Sequence, residues 1–146
     1  MHKQQLYADM THIVSAGILA IPRTDAAPKF FFSALIDGYD FNVEDDAMPT
    51  GVREQTEIAL KKIDAALAQA GGGPSNVARL TVFVKDSPTI DALTITVTIT
   101  EAIQAFFCFE RPGNVTLPAQ SVIFVSRLPY DHLGQLIGIE ATAIID

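Results

Sequence analysis

Residues 51–70 constrain the fold more than any other segment, because they predict an amphipathic helix with one apolar stripe. The stripe has helical spacing and consists of Val52, Ala59, Leu60, Ile63, Ala66 and Leu67. Charged residues lie off the stripe, and Glu57 precedes Lys61 in the order that stabilises an i,i+4 pair. The glycines at 71–73 predict the end of the helix. A helix of this kind needs one apolar surface to cover, which a sheet supplies.

Strand-forming segments surround this helix. Apolar or alternating residues bounded by turns predict strands at 11–20, 30–36, 76–86, 120–128 and 135–145. Residues 40–43 are a further candidate, as the returning strand of a hairpin. Proline-rich residues at 21–29 and acidic residues at 44–49 predict loops.

The segment at 93–108 fits two periods. Residues 93–100 alternate apolar residues with threonine, which is the strand period, while Ile95, Ile99, Ile103 and Phe106 fit the helix period. The continuation has a helical composition, so we predict a second helix from about 94 to 108, although its first half has poor helix propensity. Helices then alternate with strands, which predicts a single α/β domain over residues 1–146.

Composition and charge exclude several classes of protein. The net charge is −7 and the ten Lys and Arg residues are scattered, which argues against a nucleic-acid partner. No apolar run approaches the roughly 20 residues of a membrane span, and residues 1–10 lack the apolar centre of a signal peptide. One cysteine allows no internal disulfide. We therefore expect a cytoplasmic protein without a membrane partner.

Few residues are candidates for chemistry. The common nucleotide-binding, nucleophile and Cys-x-x-Cys motifs are missing and the three histidines are far apart, so we expect neither a cofactor nor a metal. Glu140 interrupts an apolar strand, where a carboxylate is costly unless it is paired or used in function. A functional role and a structural hydrogen bond are equally consistent with this position. Alternation puts Glu140 on the face opposite Ile139 and Ala141, toward a cleft or a subunit interface. Cys108 lies on the predicted buried face of the second helix, and we interpret it as a core residue.

Five segments together resemble one protein family. They read "GVREQTEIALKKIDAALAQAG", "NVARLTVFVKD", "EAIQAFF", "NVTLPAQSVIFVSRLP" and "IGIEATAI". Their motifs and order are similar to those of the Rid family, also called YjgF or UK114, whose best-known members are enamine/imine deaminases. The resemblance covers roughly residues 51–146. Before it only residues 30–36 match, and the chain between Asp86 and Ala105 is several residues longer than in typical members.

The resemblance implies a chorismate-mutase-like α+β fold, with a mixed sheet and two helices on one face. It also implies a homotrimer with a barrel-like centre and three inter-subunit clefts, each of which takes a small-molecule substrate. In deaminating members an arginine in the motif P-A-R-S binds the substrate carboxylate, and a glutamate in I-E-A holds the attacking water. Carried over by position, the arginine falls on Gln120 and the glutamate on Glu140. The substrate-binding positions implied by the same resemblance are Ser33, Ala34, Ala119, Ser121, Phe106 and Asn114.

Gln120 determines the functional prediction. Glutamine carries no charge, and the loss of a charge-assisted bidentate contact costs on the order of 2–5 kcal/mol. We therefore predict a divergent enzyme of specialised metabolism acting on a small neutral imine, enamine or carbonyl compound, by hydrolysis, isomerisation or cyclisation. Glu140 would be its acid–base or water-positioning group, and Gln120 would hydrogen-bond the substrate.

Other functions stay open. One is an ordinary 2-iminobutanoate/2-iminopropanoate deaminase in which Arg111 or the backbone replaces the missing arginine. Another is a small-ligand-binding or chaperone-like module without chemistry. A ribonuclease, as some family members have been called, fits the acidic charge least.

Overall fold

The described part of the chain forms one seven-stranded sheet with two helices on one of its faces. The computed structural model describes residues 2–9, 12–20, 28–40, 48–110 and 117–146, and the side chains of residues 28–40, 48–108 and 117–146. The elements are β1 (His2–Asp9), β2 (His12–Ala20), β3 (Lys29–Ser33), β4 (Ile36–Asp37), α1 (Val52–Gln69), β5 (Val77–Lys85), α2 (Ala92–Glu110), β6 (Ala119–Val125) and β7 (Ile137–Ile145). Across the sheet the order is β1-β2-β3-β7-β5-β6, and β4 also pairs with β7. Of these pairs only β5–β6 is parallel, and α2 connects its two strands.

The mixed sheet with two helices on one face confirms the predicted fold class. The sequence did not predict β1, whose residues are mostly polar; its antiparallel pairing with β2 makes it a strand. The predicted strand at 30–36 is divided into β3 and β4 at Ala34 and Leu35. Asp40 forms a single β-bridge residue rather than part of a continuous strand, and residues 41–43 of the proposed hairpin strand lie outside the described residues.

The hydrophobic core lies between the helices and one side of the sheet. Its largest fully buried apolar side chains include Phe31, Leu60, Leu67, Leu80, Ile99, Ile103, Ile137 and Ile139. The predicted stripe of α1 faces this core, with Val52 half-buried at its edge. We call the side of the sheet that carries neither helix the open face. Alternate residues of β5 and β7 therefore point either into the core or to the open face.

The threonine-rich segment, which fitted both the strand and the helix period, forms helix α2. It spans Ala92–Glu110, and it buries Ile95, Ile99 and Ile103 against the core. Burial of each isoleucine stabilises by about 1.5–3 kcal/mol, which exceeds the roughly 0.5 kcal/mol that a β-branched residue costs in a helix. Three hydroxyls donate to the carbonyl oxygens four residues earlier at 2.8–2.9 Å, those of Thr96, Thr98 and Thr100. No helix in the described part of the chain is long and apolar enough to cross a membrane.

Asp91 fixes the start of α2. Its carboxylate accepts hydrogen bonds from Thr94, from the hydroxyl at 2.7 Å and from the backbone N–H at 2.9 Å. These bonds, the one from the hydroxyl first, lower the pKa of the Asp91 carboxyl below its ordinary value, because they favour the charged form. The side chain therefore caps a backbone N–H group that the helix itself leaves without a partner.

The glycines predicted to end α1 do end it. Gly71 has a φ of 84°, in the left-handed region that glycine adopts without strain. The N–H of Gly72 donates to the carbonyl oxygen of Leu67 at 2.8 Å, which closes the last turn.

A buried glutamine, Gln55, ties the start of α1 to two other segments. Its side-chain nitrogen donates to the carbonyl oxygens of Pro49 at 2.6 Å and Gly134 at 2.9 Å. Its side-chain oxygen accepts from the backbone N–H of Leu136 at 2.8 Å. Gly38 approaches so closely that a β-carbon there would lie 2.4 Å from the Cα of Gln55. These contacts hold α1 against β4 and against the chain that enters β7.

Candidate active site

Glu140 lies on the open face, near the middle of the sheet. It belongs to β7, which pairs with β3, β4 and β5. Ile139 and Ala141 are buried on the helix side, whereas Glu140 is exposed and lies opposite Thr81 of β5. Within the described residues its carboxylate makes neither a hydrogen bond nor an ion pair. The side chain is therefore available to a ligand rather than committed to the fold.

Gln120 projects to the other side of the sheet. It pairs with Leu80 of β5, which is fully buried beneath the helices. Val122 and Phe124, the next residues on the same side of β6, pack against the core. Gln120 is half-buried at the start of this edge strand. The structure thus separates Gln120 and Glu140 onto opposite faces within one chain.

Ser121 shares the open face with Glu140. It lies opposite Thr81, the same residue that Glu140 faces from β7. Its Oγ accepts a hydrogen bond at 2.8 Å from the Nη2 of Arg79, which sequence reasoning did not select. The alternation of β5 puts Arg79 and Thr81 on the side opposite the core residues, but only the pairing of β5 with β7 brings them beside Glu140.

Ser33 and Ala34 lie where β3 leaves β7. The hydroxyl of Ser33 accepts from the backbone N–H of Ala141 at 2.8 Å and donates to the carbonyl oxygen of Ala34 at 2.9 Å. It thereby completes the hydrogen bonding of β7 next to Glu140. Ala34 is exposed. Both residues are close to Glu140 along the sheet, and the bonds of Ser33 position the strand that carries it.

Leu35 forms an apolar wall beside Glu140. A β-carbon on Gly138, two residues before Glu140 on β7, would lie 2.7 Å from both Cγ and Cδ1 of Leu35. Leu35 therefore covers Gly138 and fills the space that a side chain there would need. Phe83 of β5 lies opposite Gly138 and is half-buried. Sequence reasoning missed this wall, because Leu35 was interpreted as a strand residue.

The remaining candidates divide between the two sides. Ala119 is exposed and lies opposite Arg79, so it belongs to the open face. Phe106 belongs to the helix layer, where it packs at the edge of the core with its ring 5.3 Å from that of Phe107 at an angle of 79°. Asn114 and Arg111 lie outside the described residues.

The interpretation of Cys108 as a core residue is wrong, because its side chain is exposed. Phe107 is the residue of this turn that faces the core. Cys108 follows Phe107 on α2 and is rotated from it by about 100° around the helix axis, so its side chain points away from the sheet.

The open face thus combines a carboxylate, a guanidinium and hydroxyl groups around Glu140, with an apolar wall on one side. An exposed carboxylate of this kind can take a proton from water and return it to a leaving group. Among the described residues, no three His, Cys, Asp or Glu side chains are grouped so as to hold a metal ion.

Solved structures define the class of protein to which this fold corresponds. The YjgF gene product of Escherichia coli matches with a TM-score of 0.66 at 28% identity, over 83% of this chain and 84% of that chain. E. coli TdcF with bound serine matches with a TM-score of 0.67 at 25% identity, over 87% and 91% of the two chains. The class is that of YjgF-type α+β domains.

Sequence comparison gives the family. The model of the family described as Endoribonuclease L-PSP matches residues 39–145. The 2-iminobutanoate/2-iminopropanoate deaminase of E. coli (strain K12) is 33% identical over 103 residues, which are 70% of this chain and 71% of that protein. The chain belongs to the Rid family, also known as YjgF/UK114, which confirms the resemblance of its motifs.

Proposed function

We propose that the protein hydrolyses the carbon–nitrogen double bond of a small imine, or of an enamine through its imine tautomer. The observation that supports this most is the exposed carboxylate of Glu140, which has no partner among the described residues, in a chain that is similar to an imine deaminase. Glu140 takes a proton from water as the water oxygen attacks the imine carbon, and then returns it to the nitrogen. The carbinolamine that results collapses when Glu140 moves the proton of its hydroxyl group to the nitrogen, the carbon–nitrogen bond breaks and ammonia leaves, so that imine and water give a carbonyl compound and ammonia.

Two arrangements are candidates for the rest of the substrate. In the first, Gln120 donates a hydrogen bond to a neutral carbonyl or amide group of the substrate. Because Gln120 and Glu140 face opposite sides of one chain, they meet only if a cleft combines Gln120 of one copy with Glu140 of another. A homotrimer with inter-subunit clefts allows this, and Gln120 lies on an edge strand.

In the second arrangement the substrate carries a carboxylate, as in an ordinary imino-acid deaminase. The name of the E. coli relative supports it, and so does the serine bound by TdcF, because serine also carries a carboxylate. Arg79 lies on the face of Glu140 and favours this arrangement. A ribonuclease is less well supported, because a net charge of −7 repels a phosphate backbone.

Ammonia release from 2-aminoacrylate tests the proposal. The enamine is generated in situ by a serine dehydratase, and release is compared with the spontaneous rate. Glu140→Gln should lower kcat by about 10²–10⁴-fold without changing thermal unfolding, because it removes the acid–base group but keeps the shape. Glu101→Gln is the matched control, since Glu101 is an exposed glutamate on α2 that pairs with Arg53 at 3.4 Å.

The outcomes separate the alternatives. Equal rates for the wild type and Glu140→Gln would remove Glu140 from the reaction. A wild type that is inactive on 2-aminoacrylate but gains activity through Gln120→Arg indicates a neutral natural substrate. A wild type that accelerates no imine and binds small ligands unchanged by Glu140→Gln is a binding module.

A further inference from the structure

Two different surfaces flank Glu140 on the open face. On one side are Thr142 of β7 and its partner Arg79 of β5, and on the other are Gly138 and its partner Phe83. The first side offers a positive charge and a hydroxyl, and the second is apolar. A ligand that reaches Glu140 and extends along β7 contacts both.

Arg79 is one diagonal step from Glu140, because it pairs with Thr142, two residues further along β7. Diagonal neighbours in a sheet are roughly 7–8 Å apart, a distance that a long side chain spans. The two side chains do not form an ion pair; the guanidinium donates instead to Ser121 Oγ at 2.8 Å. Ser121 thus holds Arg79 at the open face, and that hydrogen bond uses one of its five N–H donors.

The apolar side is built by Leu35 and Phe83. Leu35 lies over Gly138 at a distance that leaves no room for a β-carbon there. Gly138 and Glu140 are two residues apart on β7, which is roughly 6.6 Å along the strand. A short aliphatic group bound at Glu140 therefore reaches the wall. Apolar groups of a ligand that extend from Glu140 toward Gly138 are therefore removed from water against Leu35 and Phe83.

We propose that Arg79 is the carboxylate-binding residue of this site and that Leu35 and Phe83 select an apolar side chain on the same ligand. The ligand then carries a carboxylate for Arg79 and an apolar side chain long enough to reach Leu35 and Phe83. This rests on the proposed function for the reaction at Glu140. Arg79 supplies, on the face of Glu140, the charge that Gln120 lacks, and an arginine binds a carboxylate through two parallel hydrogen bonds.

Binding of unreactive carbonyl analogues tests the proposal independently of turnover. The probes are α-ketoisocaproate, its neutral amide and pyruvate, each titrated calorimetrically into the intact protein. Arg79→Gln should weaken α-ketoisocaproate by about 10–100-fold and leave the amide almost unchanged, because only the acid uses the charge. Arg79→Lys should give an intermediate loss, and the control Arg53→Gln on α1 should give none. Leu35→Ala should weaken α-ketoisocaproate by about 3–10-fold but not pyruvate, which is too short to reach the wall.

Several results overturn the proposal: the wild type binds the acid and the amide equally well, it binds neither, or the Arg79 variants bind the acid as the wild type does. If Arg79→Gln does not fold, Arg79→Lys and the acid-against-amide comparison on the wild type decide. Failure of the proposed function gives another result: α-ketoisocaproate binds through Arg79, but the protein hydrolyses no imine. Conversely, loss of ammonia release in Glu140→Gln with an unchanged KM in Arg79→Gln keeps the function and rejects the role of Arg79.

Discussion

Replacement of Gln55 by leucine should destabilise the protein strongly, although the two side chains have similar size. Gln55 is fully buried and makes three hydrogen bonds, to Pro49, Gly134 and Leu136. At about 1 kcal/mol net for each bond, the loss is about 3 kcal/mol. Water can reach the exposed Gly134, which lowers the cost, while the half-buried groups of Pro49 and Leu136 that lose their partner raise it. We expect a loss of about 2–4 kcal/mol, a large part of the 5–15 kcal/mol that is typical of a domain.

Urea denaturation at a fixed protein concentration measures this loss as a fall in the midpoint of about 1–2 M, for a denaturant slope of roughly 2 kcal/mol per M. Gln104→Leu on the exposed side of α2 is the matched control and should change stability by less than about 0.5 kcal/mol. Gln55→Glu should be at least as damaging as Gln55→Leu, because it directs a carboxylate oxygen at two carbonyl oxygens. A loss below about 1 kcal/mol in Gln55→Leu would refute the idea that this side chain fastens α1 to β7.

Three further predictions concern the helices. Gly38→Ala should cost about 2–3 kcal/mol in urea denaturation, because its β-carbon would meet the backbone of Gln55 at 2.4 Å; a neutral effect would contradict that packing. Asp91→Ala should lower stability at pH 7. The difference from the wild type should shrink as the pH falls through the lowered pKa of Asp91, because the capping hydrogen bonds stabilise only the charged carboxylate. A constant difference in stability down to pH 2 would argue against the cap. Thr100→Ala should raise the free energy of unfolding by about 0.5 kcal/mol, seen as a slightly higher thermal midpoint. Alanine has the higher helix propensity, which outweighs the loss of the hydrogen bond from the hydroxyl.

Much of the fold follows from the sequence because its signals are local. The stripe and terminal glycines of α1 determine that helix without reference to the rest of the chain. β1 lacked such a signal, since a polar segment becomes a strand only through its partner β2. The division of residues 30–36 depends on the hydroxyl of Ser33, which takes the place of a backbone partner for Ala141. That exchange is not visible in a periodic pattern.

The candidate site was less predictable, because it depends on which strands are neighbours. The alternation of β7 predicts the face of the sheet on which Glu140 lies. The grouping of Gln120 with Glu140 in one site rests on the family resemblance alone. Only the parallel pairing of β6 with β5 shows that Gln120 faces the helices. Arg79 has no motif of its own in the sequence, and only the pairing of β5 with β7 shows that it lies beside Glu140. Cys108 was misassigned because it adjoins a buried phenylalanine on the helix.

The place of β7 in the sheet affects how the chain is made. β7 is the last described strand in sequence, yet it lies between β3 and β5 and joins the two halves of the sheet. A ribosome therefore releases β1 to β6 before the strand that connects them exists. Until then the apolar sides of both helices have an incomplete surface to cover, and the nascent chain is exposed to chaperones and proteases. Completion of the sheet must wait for β7, and a premature stop before residue 137 would leave β1–β3 and β5–β6 without the strand that joins them.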